Sequence, residues 1–254
     1  MNPIEPSTSA GLAEYLEGVR FVLFDFDGPL VDLFAELKAP GVAARLLGDL
    51  GRQPTFISED EFPDPTDPHG VLRGLRMVLE GRSWFPDPED LIRQVELALT
   101  EEECKAARSA APTPGAAFLV ESLSRRDRRL GLAITSNNAS VAIHTYLERE
   151  ESAELRTAFC THIYGRSGDP DLMKPNPDCV GRALDGMECR DPRQAVLIGD
   201  STSDFLAASA AGVRFVGYAP KPRKQARLRS EGVPCLIAHL DELKPWAESA
   251  VSGR

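Results

Sequence analysis

The stretch Phe21-Val-Leu-Phe-Asp-Phe-Asp-Gly-Pro-Leu-Val-Asp32 places two carboxylates, Asp25 and Asp27, at the end of an apolar run. Strand alternation would put both on the same side of the chain, where they can converge. Two like charges that close disfavour each other's ionisation unless something offsets them, and a divalent cation does so well. Ligands of open α/β sheets bind just beyond the carboxyl ends of the strands. Asp25 and Asp27 therefore read as the beginning of a site.

Three further polar clusters stand beside buried runs. Ser136 and Asn137 follow the apolar segment Leu130–Thr135. Lys174 lies in the loop Leu172-Met-Lys-Pro-Asn-Pro-Asp178. Asp200 and Asp204 lie in Gly199-Asp-Ser-Thr-Ser-Asp204, directly after Ala195–Ile198. Each cluster alone has an ordinary structural reading. A Ser-Asn pair after a strand caps helices, and Lys-Pro or Gly-Asp-x-x-x-Asp can be a turn. Their order, each at a strand end, makes the set far more specific than any member.

The elements that would position them follow from periodicity. From Pro112 onward, short apolar runs (Leu130–Thr135, Thr161–Tyr164, Ala195–Ile198, Arg214–Gly217, Cys235–Ile237) alternate with helical segments such as Ala139–Arg149, Cys179–Leu184 and Ala207–Ala211. That rhythm predicts a doubly wound, mostly parallel sheet of the α/β class. Between Leu33 and Ala111 no convincing strand occurs. Helical spacing recurs over Val42–Leu50, Val71–Leu79 and Asp90–Ala107. Pro88, Glu89 and Asp90 suit a helix start. Residues 33–111 thus read as an all-helical insert of a size to form a lid. A short helix over Gly11–Gly18 precedes the first strand, after a loose segment, Asn2–Ala10.

Composition narrows the function. With 29 basic against 39 acidic residues, the net charge of −10 argues against a nucleic-acid binder. An anionic substrate would have to be met by local positive charge. The five cysteines (104, 160, 179, 189, 235) are odd in number and form no CxxC pair, which predicts free thiols in a reducing compartment. Neither a signal peptide nor a membrane span is recognisable, so a cytoplasmic protein without membrane partners is expected.

Together the segments Asp25-Phe-Asp-Gly-Pro-Leu, Ile134-Thr-Ser-Asn-Asn, Lys174-Pro-Asn-Pro-Asp and Ile198-Gly-Asp-Ser-Thr-Ser-Asp-Phe-Leu-Ala-Ala resemble the haloacid dehalogenase-like hydrolase superfamily. The resemblance covers nearly everything outside the insert and the tails. It implies a Rossmann-like core, residues 1–32 and 112–254, with a helical cap domain, 33–111, inserted after the first motif. It implies that Asp25 is a nucleophile forming an aspartyl-phosphate, and that Asp27 is the general acid and base. Ser136, with Asn137 and the backbone beyond it, would bind the phosphoryl group. Lys174 would offset the charge of Asp25 and phosphate. Asp200 would ligate Mg²⁺ together with Asp25 and the backbone carbonyl of Asp27. Asp204 would hold a metal-bound water or orient Lys174. Oxygen-only ligands suit Mg²⁺ better than Zn²⁺.

Two positions are ambiguous. Thr135 and Ser136 are adjacent hydroxyls, and only one can face the site from a regular strand; Ser136 is favoured by the resemblance. Pro29 stands where many family phosphatases have Thr, whose hydroxyl can brace the acid/base residue. Pro has neither hydroxyl nor N–H. A tolerated turn variant is the favoured reading, with altered placement of Asp27 as the sharper one. His69, His144, His162 and His239 show no metal-ligand spacing and read as structural or exposed. Trp84 and Phe85 read as packing within the insert, and Arg125–Arg129 as solvated surface. The acidic, proline-rich loop Ser58–His69 reads as solvated. Which of Arg45, Arg52, Arg73, Arg76 and Arg82 faces the site is not legible.

The predicted activity is a Mg²⁺-dependent phosphatase acting on a small phosphorylated metabolite, as a monomer or homodimer. A phosphomutase on the same core, a haloacid dehalogenase, or a non-catalytic binding protein are the alternatives. Asp27 and the Asp200/Asp204 pair argue against dehalogenation, which needs no metal. The intact set of charged residues argues against a degenerate core.

Overall fold

The computed structural model describes residues 9–52, 57–80, 82, 87–125 and 130–249. Residues 2–8 of the proposed loose segment, Trp84, Phe85 and positions 126–129 of the basic run lie outside that range. Along the chain, α1 (Ser9–Tyr15) leads to β1 (Phe21–Phe24) and β2 (Val31–Asp32). Three helices follow: α2 (Ala39–Gly51), α3 (Pro68–Leu79) and α4 (Pro88–Ser109). The chain continues through β3 (Ala111–Pro112), α5 (Ala116–Ser124), β4 (Gly131–Thr135), α6 (Ser140–Leu147), α7 (Ala153–Phe159) and β5 (Ile163–Tyr164). It ends with α8 (Asp178–Gly186), β6 (Ala195–Gly199), α9 (Thr202–Ala210), β7 (Arg214–Tyr218), α10 (Pro222–Ser230), β8 (Leu236–Ile237) and α11 (Lys244–Ser249).

Six strands form one parallel sheet in the order β5-β4-β1-β6-β7-β8. The chain builds β1, β4 and β5 outward in one direction, then returns to lay β6, β7 and β8 outward in the other. The order reverses between β1 and β6, which is where open α/β sheets bind ligands. Asp25 and Asp200 follow these two strands. The fold is α/β and mostly parallel, as the alternation of runs predicts.

The strands read as unbroken apolar runs because both sheet faces are covered. Val22, Phe24, Ile134, Val196 and Ile198 pack on one face with Leu119 of α5, Ile143 of α6, Phe159 of α7 and Trp246 of α11. Leu23, Ala133, Leu197 and Phe215 point the other way, onto Val180 of α8, Ala207 of α9 and Leu228 of α10. Phe24 and Phe26 are wholly buried, and each contributes about 2 kcal/mol of burial free energy.

Helices α2, α3 and α4 correspond to the three segments read from sequence, each starting two to three residues earlier. The early starts have a common cause. Pro occupies the first turn of each, and Asp67 and Asp87 cap α3 and α4 by accepting from His69 N and Asp90 N. The apolar faces of these helices join the core without a break, through Val42, Leu46, Leu75, Leu91 and Leu99.

Several sequence expectations need correction. The α1 helix begins at Ser9, inside the segment expected to be loose. The α9 helix begins at Thr202, five residues ahead of the expected Ala207, because Ser201 and Asp204 form a reciprocal capping box. Helices α7, α10 and α11 have no counterpart in the sequence reading. Residues 33–111, expected to form an insert, are also bracketed by a two-residue antiparallel ladder that periodicity missed, Val31 opposite Pro112 and Asp32 opposite Ala111. Two residues are too short to show alternation. Among the described residues no helix is long and apolar enough to cross a membrane, and all five cysteines are free.

Candidate active site

The β1 ladder ends at Phe24, but Asp25 N still donates to Ile198 O at 2.9 Å, so Asp25 is held as a one-residue extension of the strand. The chain then folds into a tight loop. Leu30 N and Val31 N donate to Phe26 O, and Gly28 N donates to Val31 O at 2.7 Å. Phe26 anchors the loop edge-on against Tyr146, with ring centroids 5.6 Å apart. This loop, not strand alternation, turns Asp27 into the cavity, where its Oδ1 accepts from Leu33 N at 2.9 Å. Gly28 has φ +109°, and a Cβ there would lie 2.4 Å from Asp200 Oδ2. Only glycine lets the loop approach Asp200 that closely.

Pro29, the departure from the family pattern, is buried in this loop. A hydroxyl does reach the loop from elsewhere: Thr113 Oγ1, just after β3, donates to Gly28 O at 2.6 Å.

Lys174 ties the segments together. It is 1% exposed. Its ammonium donates to Asp25 Oδ1 at 2.9 Å, to Thr135 O at 3.0 Å and to Asp204 Oδ1. Those three acceptors use all three of its donors. Its backbone is clamped by Asn137, whose Oδ1 accepts from Lys174 N at 2.7 Å and whose Nδ2 donates to Lys174 O at 3.1 Å. The Asn137 amide, expected to meet phosphate, is therefore committed to positioning Lys174. Asp204 is fully committed as well. While Oδ1 holds Lys174, Oδ2 accepts from Asp200 N, Ser201 N and Ser201 Oγ.

The two hydroxyls separate clearly. Thr135 Oγ1 is buried without a hydrogen-bond partner among the described residues. Ser136 lines the cavity; its Oγ donates to Asn138 Oδ1 at 3.0 Å and accepts from Asn138 N at 3.2 Å.

Asp25, Asp27, Ser136, Asn137, Lys174, Asp200 and Asp204 all line one open cavity of about 520 Å³. Its electrostatics follow from crowding acids in a dry place. Burial raises the Asp25 carboxyl above its ordinary value, Asp204 adds to this, and Lys174 opposes it. Burial and then Asp200 push Asp27 well up. Burial takes Asp200 to about 6, against the pull of Lys224. Asp204 alone is lowered: burial works against ionisation, but Lys174 and Ser201 outweigh it.

One carboxylate oxygen each from Asp25, Asp200 and Asp204 lies within 4.8 Å of the others. Such a group, with Asp25 and Asp204 buried and Asp200 half-buried, fits a cation, and its all-oxygen donor set fits a hard one. Lys224 on α10 already brings one positive charge, pairing with Asp200 Oδ2. The Asp27 carboxylate is not part of the group.

The structure also brings in residues that the sequence reading set aside. Asp64, Asp67, His69 and Arg73 line the cavity, so the end of the acidic loop faces the site and is not simply solvated. Arg73 Nη1 donates to Lys174 O at 2.9 Å. The other arginines are turned to Glu102 (Arg45), Asp49 (Arg52), Glu89 and Asp171 (Arg76) and Glu61 (Arg82). Behind the cavity, Glu103 of α4 is completely buried. It accepts from Arg166 Nη1 at 2.9 Å, Asn138 Nδ2 at 3.1 Å and Ala139 N at 2.9 Å, and it pairs with His69 Nε2 at 2.8 Å. Burial pushes Glu103 upward, yet Arg166 and His69 hold it at about 2. His69 is thus structural as expected, and lines the site too. No local pattern could reveal these pairings; only the Asp67-Pro68 helix start was readable.

A family model described as haloacid dehalogenase-like hydrolase matches residues 19–212. The chain belongs to that family and is a hydrolase. It is 26% identical over 239 residues to phosphoglycolate phosphatase of Pseudomonas putida, spanning 92% of this chain and 82% of that one. Among solved structures it resembles a haloacid dehalogenase-like hydrolase from Streptococcus pneumoniae, with TM-score 0.60, 21% identity and coverage of 90% and 98%. It also resembles CbbY from Rhodobacter sphaeroides in complex with phosphate, with TM-score 0.62, 22% identity and coverage of 89% and 96%. These two likenesses bear on the fold.

Proposed function

We propose that the protein is a Mg²⁺-dependent phosphomonoester hydrolase working through an aspartyl-phosphate on Asp25. The observation that carries this reading is the saturated ammonium of Lys174, which holds Asp25 Oδ1 in the same cavity as Ser136, Asp27 and Asp200. Asp25 attacks phosphorus while Lys174 offsets the charge gathering on the carboxylate and the phosphoryl oxygens. Ser136 exchanges its bond to Asn138 for one to the phosphoryl group. Asp27, whose carboxyl burial and then Asp200 push upward, delivers its proton to the leaving oxygen. As a carboxylate it then takes a proton from the water that opens the acyl phosphate. Asp25, Asp200 and the Asp27 carbonyl would hold Mg²⁺, which supplies further charge neutralisation at the phosphoryl group. Asp204 orients Lys174 and braces Asp200. The helical insert acts as a lid that excludes water.

The phosphatase relatives favour a small phosphorylated metabolite, and short phosphorylated acids are the first substrates to try. The test is phosphate release from a phosphoester panel with Mg²⁺, with Asp25→Asn and a chelated sample alongside. Release that persists in Asp25→Asn would sink the mechanism.

A further inference from the structure

A second, larger cavity of about 860 Å³ adjoins the site. Asp27, Asp200 and Arg227 line both cavities. Its lining combines Pro112, Pro114, Pro220 and Tyr218 with the basic residues Lys221, Arg223 and Arg227.

The basic residues stand out against an acidic chain. Lys221, Arg223, Lys224, Arg227 and Arg229 are five of the 29 basic residues, packed into nine positions without one acid, while the net charge is −10. Arg227 and Arg229 complement the dipole in the last turn of α10, but the rest of the arrangement is locally disfavoured. Arg223 and Arg227 are like charges four apart on α10. Lys221 and Arg223 sit at the start of that helix, where the dipole favours acids. Lys224 is accounted for by Asp200. Among the described residues Lys221, Arg223 and Arg227 have no carboxylate partner. The acids of this cavity do not answer them. Asp200 is taken by Lys224, the Asp27 carboxylate accepts from Leu33 N, and Asp32 is exposed on β2.

Asp27 gives the cavity its direction. If phosphorus sits at Asp25 and Asp27 protonates the leaving oxygen, as proposed above, that oxygen lies where the two cavities meet. The rest of the alcohol then extends into the second cavity.

We infer that this cavity holds the leaving-group half of the substrate, and that this half carries a second anionic group bound by Lys221, Arg223 and Arg227. The substrate class is a phosphomonoester of an alcohol with an apolar body against Tyr218 and the prolines, ending in a carboxylate or a second phosphate. A cavity of this volume suits a body longer than a two-carbon acid. The inference rests on the phosphatase reading for its direction, and on α10 for its charge.

The test uses ω-carboxyalkyl phosphates of increasing chain length, each paired with the ω-hydroxyalkyl phosphate of equal length, on the Mg²⁺-loaded protein. Phosphate release and calorimetric binding are both measured. Wild type should prefer the carboxylate by about tenfold or more once the chain passes two carbons. The Lys221→Ala, Arg223→Ala double variant should erase that ratio, and Arg223→Lys should restore most of it. A ratio near one at every length overturns the inference, as does a preference that Arg73→Ala removes and the double variant keeps. Binding that depends on chain length and Arg223 without phosphate release would uphold the anion site and overturn the phosphatase reading. Release with no preference would do the reverse.

Discussion

The ammonium of Lys174 donates to Asp25 Oδ1 at 2.9 Å across 149 positions of sequence. With Thr135 O and Asp204 Oδ1 as its other acceptors, it joins the ends of β1 and β4 to the first turn of α9. A buried ammonium is tolerable only when its donors are satisfied and its charge is met. Here both conditions hold, and its pKa rises because Asp204 and Asp25 outweigh burial.

Replacing Lys174 should therefore harm the fold as well as the chemistry. Lys174→Met leaves Asp25 and Asp204 buried without a counter-charge, and should cost about 3–5 kcal/mol of stability. Urea unfolding measures it. An unchanged midpoint would show that the two carboxylates find another partner.

Asp25→Asn should behave differently. It keeps the shape and removes the nucleophile, so phosphate release should fall by about 10³-fold or more. The circular dichroism spectrum should stay that of wild type. Retention of turnover above about a tenth of wild type would exclude Asp25 as nucleophile.

Gly28→Ala tests the close approach of the loop to Asp200. The new methyl meets Asp200 Oδ2 in a backbone region that L residues rarely adopt. We expect the Mg²⁺ concentration for half-maximal activity to rise about tenfold or more, since a ~1 Å displacement of a ligand is costly. An unaltered Mg²⁺ dependence would mean that Asp200 is not a ligand.

Glu103 sets a pH dependence of stability. Its pKa is about 2 in the folded protein against an ordinary 4.5. A depressed carboxylate contributes stability that is fully present above about 4.5 and is lost as pH falls from there toward about 2. The fall from 4.5 to about 2 corresponds to about 3 kcal/mol. The stability gap between wild type and Glu103→Gln should be widest near neutrality and shrink through that window. A gap that is flat with pH would refute the assignment.

The four polar clusters were legible because each sits at the end of an apolar run, where type and order carry the signal. Lys174, Asp200 and Ser136 reached the cavity for that reason. Asn137 reads as a phosphate contact yet clamps the Lys174 backbone, since a side-chain amide can meet either partner and residue type alone does not choose. Glu103 and Arg166 were invisible: they are 63 positions apart, one on a helix that reads as amphipathic, the other in a loop. The loop before α3 read as solvated because acids and prolines usually are, while its approach to the site depends on how α3 packs. Strand β2 was too short for any period to register.

The ladder between β2 and β3 has an evolutionary meaning. The helical segment between Asp32 and Ala111 begins and ends at residues that face each other. A segment whose ends already touch can be exchanged for one of different length with little added loop entropy and without shifting the parallel strands. The graft has a condition. Arg166 stays behind in the host with its buried charge, so any incoming segment must bring an acid to the place of Glu103.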